Sequence, residues 1–109
     1  MERLYFQRAK LNEELKDYEA AKADYTKAIL LKDDYDVAYL NRGLIKLKQK
    51  DYQGAKKDLA KAQELNKNLN EAGFFRTEAE LQITKLDDHQ KDIIDLFDQS
   101  DTDLKGKAL

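Results

Sequence analysis

The chain repeats itself with a period of 34 residues, and this repeat constrains the fold more than any other feature of the sequence. Residues 5–31 align with residues 39–65 without a gap, and eleven of the aligned pairs are identical. The identical pairs are Tyr5/Tyr39, Arg8/Arg42, Lys16/Lys50, Asp17/Asp51, Tyr18/Tyr52, Ala21/Ala55, Lys22/Lys56, Asp24/Asp58, Lys27/Lys61, Ala28/Ala62 and Leu31/Leu65. A third copy, 34 residues further on, keeps Arg76 and Asp92 and otherwise keeps mainly apolar character. Such a pattern predicts one supersecondary unit stacked on copies of itself.

Each copy carries apolar and small residues at three- and four-residue spacing, which is typical of amphipathic helices. The absence of proline and the presence of only four glycines argue against strand-and-turn folds. Asp17 and Asp51 stand where a carboxylate can cap the second helix of a unit. The pattern predicts helices near residues 2–15, 18–31, 37–48, 52–65, 70–83 and 87–98. From Gln99 onward we expect a frayed polar tail or a short cap.

Composition limits the classes of function. Hydrophobic residues make up 41% and charged residues 39%, with a net charge of −2, so a basic surface for nucleic acid is not expected. The lack of cysteine excludes disulfides and thiolate metal sites. No apolar run reaches the length of a membrane span, and the N-terminal residues lack the apolar core of a signal peptide. We expect a soluble chain, cytoplasmic by default, while the compartment and the length of the parent chain stay open.

With these residues identified, the chain resembles the tetratricopeptide repeat family. The signature positions are Tyr5, Ala9, Tyr18, Ala21, Tyr25 and Ala28 in the first copy, and Tyr39, Gly43, Tyr52, Ala55, Leu59 and Ala62 in the second. The resemblance implies an all-α, right-handed superhelix, a solenoid of about three helix-turn-helix units. The units would span residues 2–35, 36–69 and 70–98 of one domain (1–98), followed by the tail 99–109. The third unit is degenerate or capping, since Gly73, Thr77 and His89 depart from the pattern.

The resemblance also implies where a ligand would lie, namely in a concave groove lined by the first helix of each unit. The matching residues are Phe6, Gln7, Lys10, Leu40, Asn41, Leu44, Phe74, Phe75 and Glu78. Their apolar character favours a peptide or partner helix with apolar anchors. Alternatively, these side chains only pack one repeat against the next. Of the residues with which relatives grip the carboxylate of chaperone tails, only Asn41 is retained, so that ligand is not expected.

Charged residues recur at fixed repeat positions, and their spacing suggests ion pairs between units. Asp24 and Arg42 are separated in sequence by the same interval as Asp58 and Arg76. We predict Asp24–Arg42 and Asp58–Arg76 pairs across the repeat boundaries, with ordinary solvated charges as the alternative. This pairing leaves Arg8 and Asp92 without partners, which would suit self-association or further repeats in a longer array.

Other candidate sites are weak. His89 and Asp92 could share a helix face, but two ligands are too few for a closed metal site. Asp98, Asp101 and Asp103 lack the glycine and glutamate of a calcium loop. We therefore predict no metal, no cofactor, no catalytic residues and no enzyme. The leading hypothesis is a protein–protein interaction scaffold. The alternative is a structural segment that spaces or orients parts of a larger assembly.

Overall fold

The computed structural model describes the backbone of residues 1–108 and the side chains of residues 1–96. The chain forms α1 (Glu2–Glu14), α2 (Tyr18–Leu31), α3 (Asp36–Lys48), α4 (Tyr52–Leu65) and α5 (Asn70–Ala108). The predicted all-α repeat solenoid is confirmed, and the first four helices begin and end within one residue of the predicted positions. Residues 1–108 contain no strand.

The turns inside the first two units are built alike, as the identical sequences require. Lys16 and Lys50 adopt left-handed backbone conformations, with φ of 61° and 66°. The next residue caps the following helix in both units: a carboxylate oxygen of Asp17 accepts from the Ala20 amide at 3.2 Å, and one of Asp51 accepts from the Gly54 amide at 3.0 Å. These two features end one helix and begin the next, so each unit is a helical hairpin.

The core consists of two clusters, each shared between a hairpin and the helix that follows it. The first contains Ala9, Ala21, Tyr25, Ile29, Ala38 and Ile45, and the second contains Leu40, Ala55, Leu59, Ala62, Ala72 and Ala79. Small residues let the helices approach closely. At Gly43 an added Cβ would lie 3.0 Å from Leu59 Cγ and 3.1 Å from the Asp58 Cβ. The first hairpin has Ala9 at this position, fully buried.

The predicted break between residues 83 and 87 is wrong, because Asn70–Ala108 is one continuous helix. The turn chemistry of the first two units is missing there. Thr84 occupies the position of Lys16, and a β-branched residue resists the left-handed conformation. Lys85 occupies the position of the capping aspartate and has no oxygen to offer. The prediction of a frayed tail from Gln99 is also wrong, since the helix runs on to Ala108.

The second half of α5 lies beyond the two hairpins, and the described side chains from Thr84 to Leu96 are all exposed. None of the helices described within residues 1–108 combines the length and apolar character needed to cross a bilayer.

Candidate functional site

The predicted groove residues lie on α1, α3 and α5, the first helix of each unit. The structure divides them into three groups by exposure. Leu40 is buried; Phe6, Asn41, Leu44 and Phe75 are half-buried; Gln7, Lys10, Phe74 and Glu78 are exposed. Only the last group offers a free side chain to a ligand, so the proposed face is more polar at its surface than its sequence suggests.

Phe6 mainly serves packing between repeats. Its ring stacks on Tyr35 at a centroid distance of 5.1 Å and meets Tyr25 edge-on at 5.5 Å. Pairs of this geometry stabilise a core beyond the area that they bury. The ammonium of Lys10 lies 5.9 Å from the Phe6 centroid, and its side chain is exposed. This end of the face therefore presents a cation beside the edge of an aromatic cluster.

Phe74 and Phe75 differ in role although they are adjacent. Phe75 packs against the second core cluster, and the two rings meet edge-on at 5.2 Å. Phe74 is 67% exposed, an unusual degree for such a ring in a small domain. It lines a shallow open pocket together with Gly73, Thr77, Glu78 and Leu81. Phe74 is thus the apolar groove residue that remains available for a ligand.

Asn41 takes part in a short hydrogen-bond chain between the first two units. The buried Tyr25 hydroxyl donates to Glu13 Oε2 at 2.9 Å and accepts from Asn41 Nδ2 at 3.3 Å. Burial, reinforced by the bond to the Glu13 carboxylate, raises the pKa of Tyr25 well above its ordinary value. Asn41 is therefore partly committed to joining α3 to α2.

The recurrent charges form pairs within the hairpins, so the predicted pairs across the boundaries are wrong. Arg8 holds Asp24 through Nε–Oδ2 (2.8 Å) and Nη2–Oδ1 (2.7 Å). Arg42 holds Asp58 in the same bidentate way, with both distances at 2.7 Å. Both carboxylates are buried, at 3% and 4% exposure. The expectation that Arg8 lacks a partner falls with this result, and so does the argument for self-association drawn from it.

Sequence spacing alone could not choose between the two pairings. In antiparallel helices, residues equidistant from a connection lie side by side. Asp24 is equidistant with Arg8 from the hairpin turn and equidistant with Arg42 from the link between units. The structure decides because α2 packs more extensively against α1 than against α3. Asn12 Nδ2 also donates to Asp24 Oδ2 at 3.0 Å, which fills the remaining acceptor positions on that carboxylate.

Arg42 still contributes to the boundary between units, through an uncharged partner. Its Nη1 donates to Thr26 Oγ1 on α2 at 3.1 Å. Lys46 Nζ lies 2.9 Å from Asp58 Oδ2, so two cations serve that carboxylate. The sequence comparison missed Thr26 because no residue of its type recurs at the same repeat position, where the second unit has Ala60.

These bonds also explain the direction of the pKa shifts. The hydrogen bonds from Arg8 lower the pKa of Asp24 against the opposing effect of burial. The Asp24 and Asp58 carboxylates raise the pKa values of Arg8 and Arg42, respectively, mainly through the same hydrogen bonds. All four groups are therefore held in their charged forms.

In the third copy the predicted Asp58–Arg76 pair does not form. Arg76 Nη1 instead donates to Gln63 Oε1 at 3.0 Å, and its Nε lies 3.3 Å from Glu80 Oε1 on the same helix. Asp92 is exposed on the far half of α5. Arg76 therefore links α5 to α4 by a weaker, uncharged bond.

His89 and its acidic neighbours are exposed on α5. Within the residues whose side chains are described, no three histidine, cysteine, aspartate or glutamate side chains are grouped so as to hold a metal ion. Asp98, Asp101 and Asp103 lie outside that part of the chain.

Comparisons with known proteins agree with this architecture. The profile of the tetratricopeptide repeat matches residues 2–35 and 37–69, together more than half of the chain. The first tetratricopeptide domain of Spaghetti (RPAP3), solved with the HSP90 peptide SRMEEVD, is similar at 27% identity and a TM-score of 0.74, covering 77% of this chain and 67% of that one. The second such domain, bound to the same peptide, has 25% identity and a TM-score of 0.74, with 84% and 85% covered.

Two further structures extend the comparison. The TPR2B domain of yeast Sti1, in a complex with an Hsp70 peptide (pHsp70), has 25% identity and a TM-score of 0.68, covering 74% of this chain and 70% of that one. The Arabidopsis OM64 domain, at 24% identity and a TM-score of 0.73 with 77% and 69% covered, shows the shared fold alone. No curated protein sequence matches this chain.

Proposed function

Because the chain belongs to the tetratricopeptide repeat family, we propose that it is an interaction scaffold that binds a peptide or partner helix along the faces of α1, α3 and α5. The observation that carries the proposal is the exposed ring of Phe74 at one end of this face, beside an open pocket. Exposed aromatic anchors of this kind dominate the energetics of many interfaces. Related domains solved with chaperone peptides support a peptide as the ligand.

The chemistry of the face suggests what such a ligand carries. Lys10 is exposed near the α1 end and Glu78 near the α5 end, so the two ends differ in charge. A ligand with an acidic group towards Lys10 and an apolar side chain on Phe74 would match both ends. Recognition of a terminal carboxylate is not part of the proposal, because Asn41 alone remains of that clamp and it already bonds to Tyr25.

A titration series tests this proposal. A displayed library of random peptides would supply ligands, and their affinities would be measured for the unmodified chain and for Phe74→Lys. We expect a loss of about tenfold or more in Phe74→Lys, since a buried aromatic anchor contributes at least about 1.4 kcal/mol. Leu30→Lys is the matched control, because Leu30 is 78% exposed on α2, outside the groove helices. Equal losses in both variants, or in neither, would refute the groove.

The HSP90 peptide SRMEEVD is a useful negative probe, since relatives have been solved with it. We expect it to bind far more weakly than the selected ligands and to be insensitive to Phe74→Lys. Tight binding of this peptide would mean that the carboxylate is recognised by residues other than the family clamp.

A structural role in a larger assembly is the second candidate, and one observation favours it. Leu4 and Leu11 are 64% and 59% exposed on the outer face of α1. Their equivalents in the second unit, Ala38 and Ile45, are fully buried against the preceding hairpin. Under this alternative a neighbour covers the leucines, and sedimentation at micromolar concentration would show an oligomer that Leu11→Lys dissociates. A monomer in both cases would leave the binding role.

We also propose that the chain has no catalytic role, because tetratricopeptide repeats are in general protein-interaction folds.

A further inference from the structure

In two of the three copies, the arginine and the aspartate sixteen residues later form a closed ion pair across a hairpin. The third pair is Arg76 and Asp92, which lie on the same continuous helix. Sixteen residues of α-helix span about 24 Å, so these two side chains cannot meet while α5 is straight. The third copy therefore retains the pair's residues without the turn that would bring them together.

The apolar residues of the second half of α5 show the same mismatch. Ile93 and Leu96 stand at the repeat positions of Leu59 and Ala62, which are fully buried in the second hairpin. In α5 the corresponding side chains are 51% and 63% exposed. A helix that only projects into water has no need of aliphatic residues at the positions that the repeat uses for its core.

The first half of α5 has an unoccupied face at the matching place. Phe74 corresponds to Leu40, which is 5% exposed in its hairpin, whereas Phe74 is 67% exposed. Thr77 corresponds to Gly43, where the second hairpin brings its helices into closest contact. Leu81, also on this face, is 51% exposed. The surface on which a second helix would pack is thus present and open.

We propose that α5 is a hinged element: residues 86–98 fold back at Thr84–Leu86 and dock on the outer face of residues 70–83, with Asp92 on Arg76. The occupant of the open face is therefore a segment of the same chain. The docked form is a third hairpin, with Ile93 and Leu96 covering Phe74. The straight helix is the other position of the hinge, favoured locally because Thr84 and Lys85 lack the turn chemistry of the first two units.

Two residues oppose docking and make the balance adjustable. Glu80 stands at the position of Lys46, which bonds to the Asp58 carboxylate, so on docking Arg76 lies between two carboxylates. His89 stands at the position of the buried Ala55. In the second hairpin α5 covers that position, whereas no helix described within residues 1–108 follows α5, so the imidazole has room on its outer side.

Docking would have a consequence for the groove, which rests on the function proposed above. Phe74 is available as an anchor only while α5 is straight, because the docked segment covers it. The hinge would then control access to that end of the groove. The distances that test the hinge need no ligand, so its failure is distinguishable from the failure of groove binding.

Paired spin labels measure the hinge directly, because the chain has no cysteine of its own. Glu71→Cys and Asp95→Cys are exposed sites 24 residues apart on α5, which is about 36 Å along a straight helix. Arg3→Cys and Lys27→Cys occupy the same repeat positions in the first hairpin and give the reference distance for a closed unit. We expect the α5 pair to show a second, shorter component that coincides with the reference.

Charge reversal then tests the docked contact. Asp92→Arg places two cations together and should deplete the shorter component, and Arg76→Asp combined with Asp92→Arg should restore it. Asp87→Arg is the control, since its equivalents Glu19 and Gln53 point to solvent in the hairpins. The variant Thr84→Lys, Lys85→Asp, Leu86→Tyr carries the turn of residues 16–18 and should make the shorter component dominant.

Several results would overturn the proposal. One is a single distance near 36 Å in the unmodified chain, and another is its persistence in the turn variant. A shorter component that vanishes when labelled chains are diluted with unlabelled ones would assign docking to a second copy, which contradicts closure within one chain. Restoration failing in the double charge reversal would exclude the Arg76–Asp92 contact.

Discussion

Arg42 holds the buried Asp58 carboxylate through two parallel hydrogen bonds, each 2.7 Å long. The corresponding pair in the first hairpin has the same geometry, but Arg8 has 59% of its side chain exposed and Arg42 only 17%. The two arginines thus perform one task at two depths, and their replacement should cost different amounts.

Arg42→Leu should lower the free energy of unfolding by about 3 kcal/mol, since it leaves Asp58 buried with only Lys46 as a partner. Arg8→Leu should cost about 1 kcal/mol, because water can reach the vacated site on Asp24. Urea titration followed by circular dichroism measures both, with the exposed Lys57→Leu as a control expected to stay within about 0.5 kcal/mol. Equal losses at the two arginines would contradict the role given to burial.

Acid should weaken the first hairpin through Asp24. The folded state lowers the pKa of this carboxyl below its ordinary value of 3.8. The unfolded chain therefore binds the proton more readily, and the stabilisation is fully present above that ordinary value. It is lost as the pH falls through 3.8 towards the lower folded value.

Asp24→Asn should thus be less stable than the unmodified chain at pH 7 and should lose less stability between roughly pH 5 and pH 2. Thermal unfolding across that range is the measurement. Asp34→Asn, a change at an exposed residue of the link between units, serves as the control. An unchanged pH profile in Asp24→Asn would show that this carboxylate does not govern the acid response.

The bond between Tyr25 and Glu13 should show measurable coupling. Tyr25→Phe leaves the buried ring in place and removes the hydroxyl that donates to Glu13 at 2.9 Å. We expect a loss of about 1–2 kcal/mol, because the acceptor is a carboxylate. A double-mutant cycle with Glu13→Gln should give a coupling energy above about 0.5 kcal/mol. Strict additivity would mean that the bond contributes nothing to stability.

The hairpin turns allow opposite predictions at adjacent residues. Lys50→Gly should stabilise the fold by up to about 1 kcal/mol, because glycine adopts the observed φ of 66° without strain. Asp51→Ala should destabilise it by about 1 kcal/mol, because the Gly54 amide loses its cap. Melting temperatures measured side by side with Lys48→Gly, a change inside α3 that should destabilise, would separate a conformational effect of position 50 from a general effect of glycine.

The groove was foreseen in part. The repeat positions placed Phe74 and Phe75 on the first helix of the third unit, but adjacent residues on one helix face different directions. Whether each ring is free depends on what lies beside it. Phe75 meets the second core cluster, whereas Phe74 has no partner element within the described residues apart from Phe75 itself. Exposure of this kind is a property of the assembled neighbours, which no single helix pattern records.

The sequence by itself determined the helical hairpin and its repetition. The spacing of small and aromatic residues, the capping aspartates and the conserved turn all act within some twenty residues, so local physical chemistry is sufficient to fix them. Only the tertiary structure decided which arginine meets which aspartate, since residues 16 and 18 apart are both placed side by side by antiparallel helices. Packing between α1 and α2 settled that choice. The unbroken course of α5 lies between these cases: Thr84 and Lys85 removed the turn locally, while Arg76, Asp92 and Ile93 still carry the pattern of a hairpin.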